Sequence, residues 1–309
     1  MKVRALVISV VVMLLLASTG WAISLVEAEW LKANLDDKNI RIVDVSNKAD
    51  AYGKGHIPGA VQVKRYLDLG NTNTVPPTLY PTKEQFEHLM SRLGIEKDTT
   101  VVAYDDTYSL FASRLLVIME LYGHDTNKLK LLNGGSVRWK AMNYPMNADS
   151  VSVKASQYKV DKMRSELLVT WSDIYRDVVN GAKKDVLLVD VRPAAEYTAK
   201  NIRSIRGGYI PKAVNVTGAD ANKKEDQTFK TKDEIRKMFE EKGVTGDKPI
   251  YSYCHSGDRA AHGYVVMKHI LGFKNVKFYD GGWAEWASIV SLPADGQVWL
   301  WEAPKEEKK

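Results

Sequence analysis

The sequence contains a single cysteine, Cys254, among its 309 residues. One cysteine excludes an intrachain disulfide and any zinc or iron–sulfur site built from several thiolates. Glycine (21 residues) and proline (10 residues) are not enriched, which excludes collagen-like and low-complexity chains. Runs of five or more like charges are also missing, so the chain lacks the basic stripe that binds nucleic acid. The composition is that of an ordinary globular protein of about two domains.

The first 22 residues have the pattern of a secretory signal peptide. A basic start precedes an apolar run of thirteen residues, Ala5–Ala17, and Gly20 and Ala22 supply the small residues of a cleavage site before Ile23. The run is shorter than the about twenty residues of a membrane-spanning helix. An uncleaved anchor that extends to Trp21 is the alternative. We expect cleavage near Ala22, a periplasmic or secreted protein, and no stable membrane insertion of the mature chain.

Removal of this segment takes away two basic residues and no acidic residue, so the net charge falls from +6 to +4. The mature chain is therefore mildly basic. A modest positive field of this kind is expected to attract a small anionic substrate.

Four short motifs occur twice in the same order, at offsets of 146 to 153 residues. The pairs are Ile42–Val45 with Leu188–Val191, Ile57–Val61 with Ile210–Val214, Val101–Tyr104 with Ile250–Tyr253, and Asn133–Gly135 with Asp280–Gly282. This repetition indicates a tandem duplication. It predicts domains at 23–148 and 165–290, a linker at 149–164 and a tail at 291–309. We expect the tail to pack onto a domain as far as Trp301 and its charged end to fray.

Each half alternates short β-rich runs with helical patterns, which predicts an α/β fold with a mostly parallel sheet flanked by helices. In the second half, Asp185–Val191 and Pro249–Tyr253 have the apolar character of buried strands. Thr231–Gly243 carries the signals of a helix, with a threonine N-cap, Glu234 three positions later and a final glycine. A further helix is expected over Ala260–Leu271.

Cys254 directly follows the predicted strand Pro249–Tyr253 and begins a polar loop that ends at Arg259. Ligands of open parallel sheets bind at the carboxyl ends of the strands. The next helix and Arg259 place positive charge near the sulfur, which favours the thiolate. The backbone N–H groups of such a loop also hold an anion bound to the sulfur. A cysteine that only fills space is the alternative. We interpret Cys254 as a nucleophile.

The length of the loop distinguishes two chemistries of a nucleophilic cysteine. Cysteine phosphatases place five residues between the cysteine and the loop arginine, whereas four separate Cys254 from Arg259. The tighter ring of N–H groups suits one additional sulfur atom better than a phosphate. A phosphatase is therefore a distant alternative.

The motifs resemble those of the tandem-domain rhodaneses, the family of thiosulfate and 3-mercaptopyruvate sulfurtransferases. The resemblance rests on Tyr52–Ala60 (YGKGHIPGA), the loop Cys254–Arg259 and the two Gly-Gly…Trp segments, and spans about residues 25–290. It implies an inactive first domain, with Asp105 in the place of Cys254, and a catalytic second domain. It also implies that Cys254 takes sulfur from an anionic donor such as thiosulfate and passes it, as a persulfide, to a thiol or to cyanide.

The resemblance also implies which residues bind the donor. The expected substrate-binding residues are His255, Ser256, Gly257, Asp258, Arg259 and Arg192. Glu196 stands where we align an arginine that family members use for the substrate anion, and Arg203 or Arg206 is a candidate to replace it. Asp190 is expected either to orient the loop or to have a structural role, as a helix cap or as a partner of Arg192.

The six histidines are scattered and show no metal-ligand spacing, so the sequence predicts neither a metal ion nor another cofactor. His255 is expected either to assist proton transfer or to face solvent, and His262 and His269 to be surface or packing residues. The expected partners are a small anionic sulfur donor and a thiol or cyanide acceptor, with no nucleic acid. The alternative function is a non-enzymatic carrier or sensor of sulfane sulfur or related chalcogen oxyanions.

Overall fold

The computed structural model describes residues 22–303 except positions 49, 72, 75 and 77. Residues 1–21 of the expected signal peptide (1–22) and the charged end at 304–309 lie outside the described residues. Among the residues that are described, no helix has the length and apolar character needed to cross a bilayer.

The first half of the chain forms a five-stranded parallel sheet with the strand order β1-β5-β4-β2-β3. Its strands are β1 (Ser24–Val26), β2 (Ile40–Asp44), β3 (Val61–Gln62), β4 (Thr100–Tyr104) and β5 (Leu129–Leu132). Its helices are α1 (Ala28–Ala33), α2 (Ala51–Lys54), α3 (Arg65–Asp68), α4 (Lys83–Arg92), α5 (Leu110–Leu121) and α6 (Gly135–Ala141). Four of the five residues of β4 are buried, because helices cover both faces of the sheet.

The second half repeats this architecture, with the parallel strand order β6-β11-β10-β7-β9. The strands of this half are β6 (Leu168–Val169), β7 (Leu187–Asp190), β8 (Arg206–Tyr209), β9 (Val214–Asn215), β10 (Ile250–Tyr253), β11 (Val276–Tyr279) and β12 (Asp295–Trp299). The helices are α7 (Trp171–Ile174), α8 (Ala194–Tyr197), α9 (Lys232–Glu240), α10 (Asp258–Tyr264) and α11 (Gly282–Ser288). Helix α7 continues as a π-helix over Tyr175–Val179, and α10 over Val265–Ile270.

Equivalent hydrogen bonds recur in the two halves. The hydroxyl of Tyr104 accepts a hydrogen bond from Ile57 N at 3.1 Å, and that of Tyr253 accepts one from Ile210 N at 3.2 Å. The indole N–H groups of the two buried tryptophans Trp139 and Trp286 donate to the carbonyls of Pro145 and Pro293. The predicted α/β fold of two tandem domains, each with a parallel sheet flanked by helices, is confirmed.

The helix predicted over Thr231–Gly243 is present as α9, and Thr231 and Glu234 form the predicted capping box. Helix α10 begins at Asp258, two residues before the predicted start. The tail adds β12, which pairs antiparallel with β8, and Trp299 stacks on Trp301.

The two domains meet along α5 and α10, which pack against each other. Eleven of the twelve residues of α5 are buried, including Arg114 and Glu120. This contact brings the first domain against the loop that begins at Cys254.

Candidate active site

Cys254 lies at the carboxyl end of β10, immediately before the loop that leads into α10, and its side chain is free and buried. Gly257 gives this loop its sharp turn, with φ at +89°. A Cβ at this position would lie 2.4 Å from Asp280 Oδ1 and 2.5 Å from Arg114 Nη1. Only glycine fits both this backbone conformation and this space.

The carbonyl groups at the start of the loop are held by the segment that follows β11. Trp283 N donates to Cys254 O at 2.7 Å, and Ala284 N donates to His255 O at 2.9 Å. Gly282 permits this approach, because a Cβ there would lie 2.6 Å from Cys254 O. By contrast, the backbone N–H groups of residues 255–260 form no hydrogen bond with any other described residue. These donors are available to an anion beside the sulfur.

In the equivalent loop of the first domain, an aspartate side chain accepts the hydrogen bonds of the backbone N–H groups. Asp105 follows β4 as Cys254 follows β10, and its carboxylate accepts four backbone N–H groups at 2.7 to 3.0 Å. The donors belong to Thr107, Ser109, Phe111 and Ala112. Burial raises the pKa of Asp105 to about 6, although these hydrogen bonds oppose the shift. The first loop therefore binds an oxyanion that belongs to its own chain.

Arg259 in the Cys254 loop is paired with Glu196. Its Nη1 and Nη2 lie 2.7 and 2.9 Å from the two carboxylate oxygens, and Arg203 Nη1 lies 3.2 Å from one of them. Burial alone lowers the pKa of Arg259, but Glu196 and negative charge on Cys254 raise it above its ordinary value. Burial raises the pKa of Glu196, and the two arginines together lower it overall. Glu196 thus orients Arg259 beside the sulfur.

Arg192 forms a buried ion pair with Asp190. Its Nε and Nη2 donate to both Asp190 oxygens at 2.6 to 3.0 Å, Nη2 also donates to Gly208 O at 2.8 Å, and both side chains are buried. Of the alternatives for Asp190, the pair with Arg192 is therefore present. These contacts favour a structural role for Arg192, and its expected role in substrate binding stays a prediction.

Arg203 and Arg206, the two candidates from the inserted segment, lie in different environments. Arg206 is buried and donates to the carbonyls of residues 286, 287, 289 and 292. The side chain of Arg203 is 47% exposed, and its ion pair is with Glu196. Arg203 is therefore the candidate that an incoming anion can reach.

Two arginines of the first domain, which the sequence analysis missed, reach the catalytic loop. Arg114 forms a buried ion pair with Asp280, and its Nη2 donates to Thr78 O at 2.9 Å. Burial lowers the pKa of Arg114, but Asp280, Asp258 and negative charge on Cys254 raise it overall. Arg65 pairs with Asp258 and lines a cavity of about 210 Å³. The arginine within the largely apolar sequence of α5 was the available signal for Arg114.

His255 and Ser256, the other expected substrate-binding residues, are partly buried. The Nδ1 atom of His255 is buried and has no hydrogen-bond partner among the described residues. Burial, together with the charges of Arg203, Arg259 and Arg192, lowers the pKa of His255 to about 4. The ring is therefore neutral near pH 7, and the expectation that it simply faces solvent does not fit this environment. The predicted proton-transfer and substrate-binding roles of His255 stay predictions.

Comparison with known proteins gives consistent matches along the chain. Residues 27–142 and 177–289 each match the rhodanese-like domain. The chain is 32% identical over 279 residues to the sulfur carrier protein TtuD of Thermus thermophilus, covering 87% of this chain and 95% of the relative. It is 34% identical over 279 residues to a putative thiosulfate sulfurtransferase of Mycolicibacterium smegmatis, covering 88% and 97%.

A solved structure has the same architecture. The 3-mercaptopyruvate sulfotransferase SseA from Escherichia coli matches with a TM-score of 0.74 and 29% identity, covering 84% of this chain and 99% of that chain.

Proposed function

Because this chain belongs to the rhodanese family and is a sulfurtransferase with two rhodanese-like domains, we propose that it acts through a persulfide on Cys254. The sulfur donor is a small anion such as thiosulfate, and the acceptor is a thiol or cyanide. The first domain carries no nucleophile at the equivalent position and serves as a support for the second.

The contrast between the two equivalent loops is the observation that carries this proposal. In the first domain, the Asp105 carboxylate accepts four backbone N–H groups. In the second domain, the N–H groups of residues 255–260 have no partner among the described residues, and Cys254 follows β10 as Asp105 follows β4. The second loop therefore presents backbone N–H donors to an anion at the position of the nucleophile.

In the first step, the Cys254 thiolate attacks the outer sulfur of thiosulfate. The S–S bond of the donor breaks, its electron pair leaves with sulfite, and Cys254 becomes a persulfide. In the second step, an acceptor thiolate or cyanide attacks the outer sulfur of this persulfide. The electron pair of that S–S bond returns to Cys254, and the product is an acceptor persulfide or thiocyanate.

The charges around the loop support an anionic donor. Arg259 and Arg203 share the single carboxylate of Glu196, which leaves an excess of positive charge beside the sulfur. We assign the sulfonate end of the donor to Arg203, because its side chain is half exposed. The N–H groups of the loop stabilise the charge that moves onto and off the Cys254 sulfur.

Mass spectrometry of the intact protein tests the covalent step. After incubation with thiosulfate, the chain should gain one sulfur atom, whereas the matched Cys254→Ser variant should gain none. Equal uptake by both proteins would overturn the assignment of Cys254. Hydrolysis of a generic aryl phosphate by the unmodified chain, lost in the same variant, would instead support the phosphatase alternative.

A non-enzymatic sulfur carrier is the second candidate, since one relative is named a sulfur carrier protein. Both candidates form a persulfide, but a carrier hands its sulfur to a partner protein and does not turn over with small acceptors. Steady-state release of sulfite with thiosulfate and cyanide separates them. Sustained turnover supports the enzyme, whereas one equivalent of sulfite without turnover supports the carrier.

We also propose that the protein is exported, with cleavage after Ala22. The basic start, the short apolar run and the small residues before Ile23 support this proposal. The first strand begins at Ser24, the second residue after the expected cleavage site. Expression of the full chain in a bacterium with two membranes, followed by fractionation, tests it. Recovery of the uncleaved chain from the cytoplasm would overturn it.

A further inference from the structure

Ile23, the expected first residue of the mature chain, is anchored at the interface of the two domains. Its side chain is 3% exposed and belongs to a hydrophobic core to which both domains contribute. Its backbone nitrogen donates a hydrogen bond to Nδ1 of His269, at 3.1 Å. The atom that cleavage would convert into a terminal amine therefore already lies against a side chain of the second domain.

The second nitrogen of the His269 ring binds a buried carboxylate. Its Nε2 lies 2.9 Å from Oε2 of Glu120, and both side chains are 1% exposed. Because the nitrogen of Ile23 is a donor, Nδ1 must accept, and Nε2 must carry the proton that Glu120 receives. The geometry thus fixes the tautomer of His269 and forms a chain of hydrogen bonds from Ile23 through His269 to Glu120.

We infer that this chain of hydrogen bonds is a binding site for the α-amino group of Ile23, created when the bond between Ala22 and Ile23 is hydrolysed. The inference rests on the proposed export. The leader peptidase of the export route uses one water molecule, which leaves a carboxylate on Ala22 and an ammonium group on Ile23. The nitrogen stays in place beside His269, but it gains a positive charge and two further N–H donors.

The two side-chain cations beside Glu120, Lys268 and Arg164, contact the same carboxylate oxygen. Lys268 Nζ, Tyr264 OH and Arg164 Nη1 lie at 3.1, 3.2 and 3.6 Å from Oε1, whereas His269 contacts Oε2. The side chains of Lys268 and Arg164 are 22% and 28% exposed, so water shares in solvating their charges. The new ammonium group would lie on the buried side of the carboxylate, where it strengthens the hydrogen bond to Nδ1.

The position of this site connects processing with the catalytic loop. Glu120 lies near the end of α5 that is distant from Arg114, and His269 lies near the end of the helix that begins beside Cys254. An ammonium group bound at the ends of these two helices stabilises their packing. That packing sets Arg114 against Gly257 and Asp280. Cleavage at Ile23 therefore stabilises the interface that supports the active site.

Two chains that differ by one residue test the inference. Residues 23–309 and 22–309 are each released from a cleavable fusion, so that the amine stands on Ile23 or on Ala22. The chain that starts at Ile23 should unfold at a temperature higher by about 2–4 °C. Its amine should react with an acetylating reagent at pH 7 roughly tenfold more slowly than that of Ala22, because it is released only by local opening.

Glu120→Gln in both chains is the matched control and should abolish the difference in unfolding temperature. If this variant does not fold, the comparison of amine reactivity in the two unmodified chains still decides the matter. Equal unfolding temperatures together with equal amine reactivities would overturn the inference. So would an exported full chain whose intact mass places the first residue elsewhere than at Ile23.

The same two chains are assayed for sulfite release from thiosulfate with cyanide. Protection of the Ile23 amine without sulfur transfer would support the amine site and count against the proposed function. Sulfur transfer by both chains with an unprotected Ile23 amine would support the proposed function and count against the amine site. Sulfite release therefore tests the proposed function, and the reactivity of the Ile23 amine tests the amine site.

Discussion

Arg114 of the first domain and Asp280 of the second form a buried ion pair directly against Gly257 of the catalytic loop. Arg114 Nη1 binds one oxygen of Asp280, and Nη2 lies 3.2 Å from the other. The second oxygen of Asp280 also accepts a hydrogen bond from Tyr80 N at 2.6 Å. The domain that lacks a nucleophile thus forms one wall of the site in the domain that has it.

Removal of the Arg114 guanidinium should destabilise the protein strongly, because Asp280 would keep its charge in a buried site without a cation. We expect Arg114→Met to lower the free energy of unfolding by about 3–5 kcal/mol, measured by urea denaturation. The double variant Arg114→Met/Asp280→Asn removes both charges and should recover part of this loss. A double variant no more stable than the single one would contradict the ion-pair explanation.

Substitution of Gly257 tests the geometry of the loop. Alanine at φ +89° costs about 1–2 kcal/mol in backbone strain, and its Cβ would also collide with Asp280 and Arg114. We expect Gly257→Ala to lower kcat/KM for thiosulfate at least about tenfold, since displaced catalytic groups lose rate steeply. Gly243→Ala is the matched control, because Gly243 has φ +75° and open space around its Cβ position. A similar loss of activity in both variants would exclude a specific role for the loop.

Substitutions of Arg203 and Arg206, the two arginines of the inserted segment, should have different effects on activity and stability. Arg203→Gln should raise KM for thiosulfate roughly threefold to tenfold, the effect of about 1 kcal/mol of ionic contact, with little change in stability. Arg206→Gln should lower the free energy of unfolding by about 3 kcal/mol or more, because the buried Arg206 donates to four carbonyl groups, three of them in buried contacts. Steady-state kinetics and urea denaturation of both variants check this. Unchanged KM in Arg203→Gln would remove Arg203 from the donor site.

Removal of the Asp105 carboxylate tests whether the loop of the first domain binds anions. Asp105→Ala should leave four backbone N–H groups without their acceptor and lower the free energy of unfolding by about 3 kcal/mol. Formate, a small carboxylate, should then raise the unfolding temperature of the variant more than that of the unmodified protein. No selective effect of formate would argue that the loop does not bind anions.

Glu120 should make stability depend on pH. Burial raises the pKa of Glu120, but the hydrogen bonds from His269 and Lys268 and the charge of Lys268 outweigh it and lower the pKa to about 2. Because the folded pKa lies below the ordinary value of 4.5, the stabilisation is present above about pH 4.5 and lost as pH falls toward 2. It amounts to about 3 kcal/mol. Urea denaturation between pH 6 and 3 should show a shallower decline in Glu120→Gln.

The sequence predicted the features that depend on neighbours along the chain. The repeated motifs located the two domains, and the threonine and glutamate at 231 and 234 located the start of α9. The glycine-containing loop after a buried strand placed Cys254 at the carboxyl end of β10. Each of these signals is contained within a few residues.

The contacts between the domains were not predictable in this way. Arg114 meets Asp280 across 166 residues of chain, and Ile23 meets His269 across 246. The expectation that His269 is a surface or packing residue was wrong in one respect, since both of its ring nitrogens are bound in a buried polar contact. Which residues meet there depends on how α5 packs on α10, and no local pattern specifies that packing.

Strand β12 has a consequence for the exposed edge of the second domain. It covers β8, the short strand of the segment that also holds Arg203, and Gln297 binds Arg206 from the same strand pair. A chain shortened before Asp295 would leave the backbone N–H and C=O groups of β8 open to a strand of another molecule. Strand β12 therefore protects the protein against intermolecular strand exchange and aggregation.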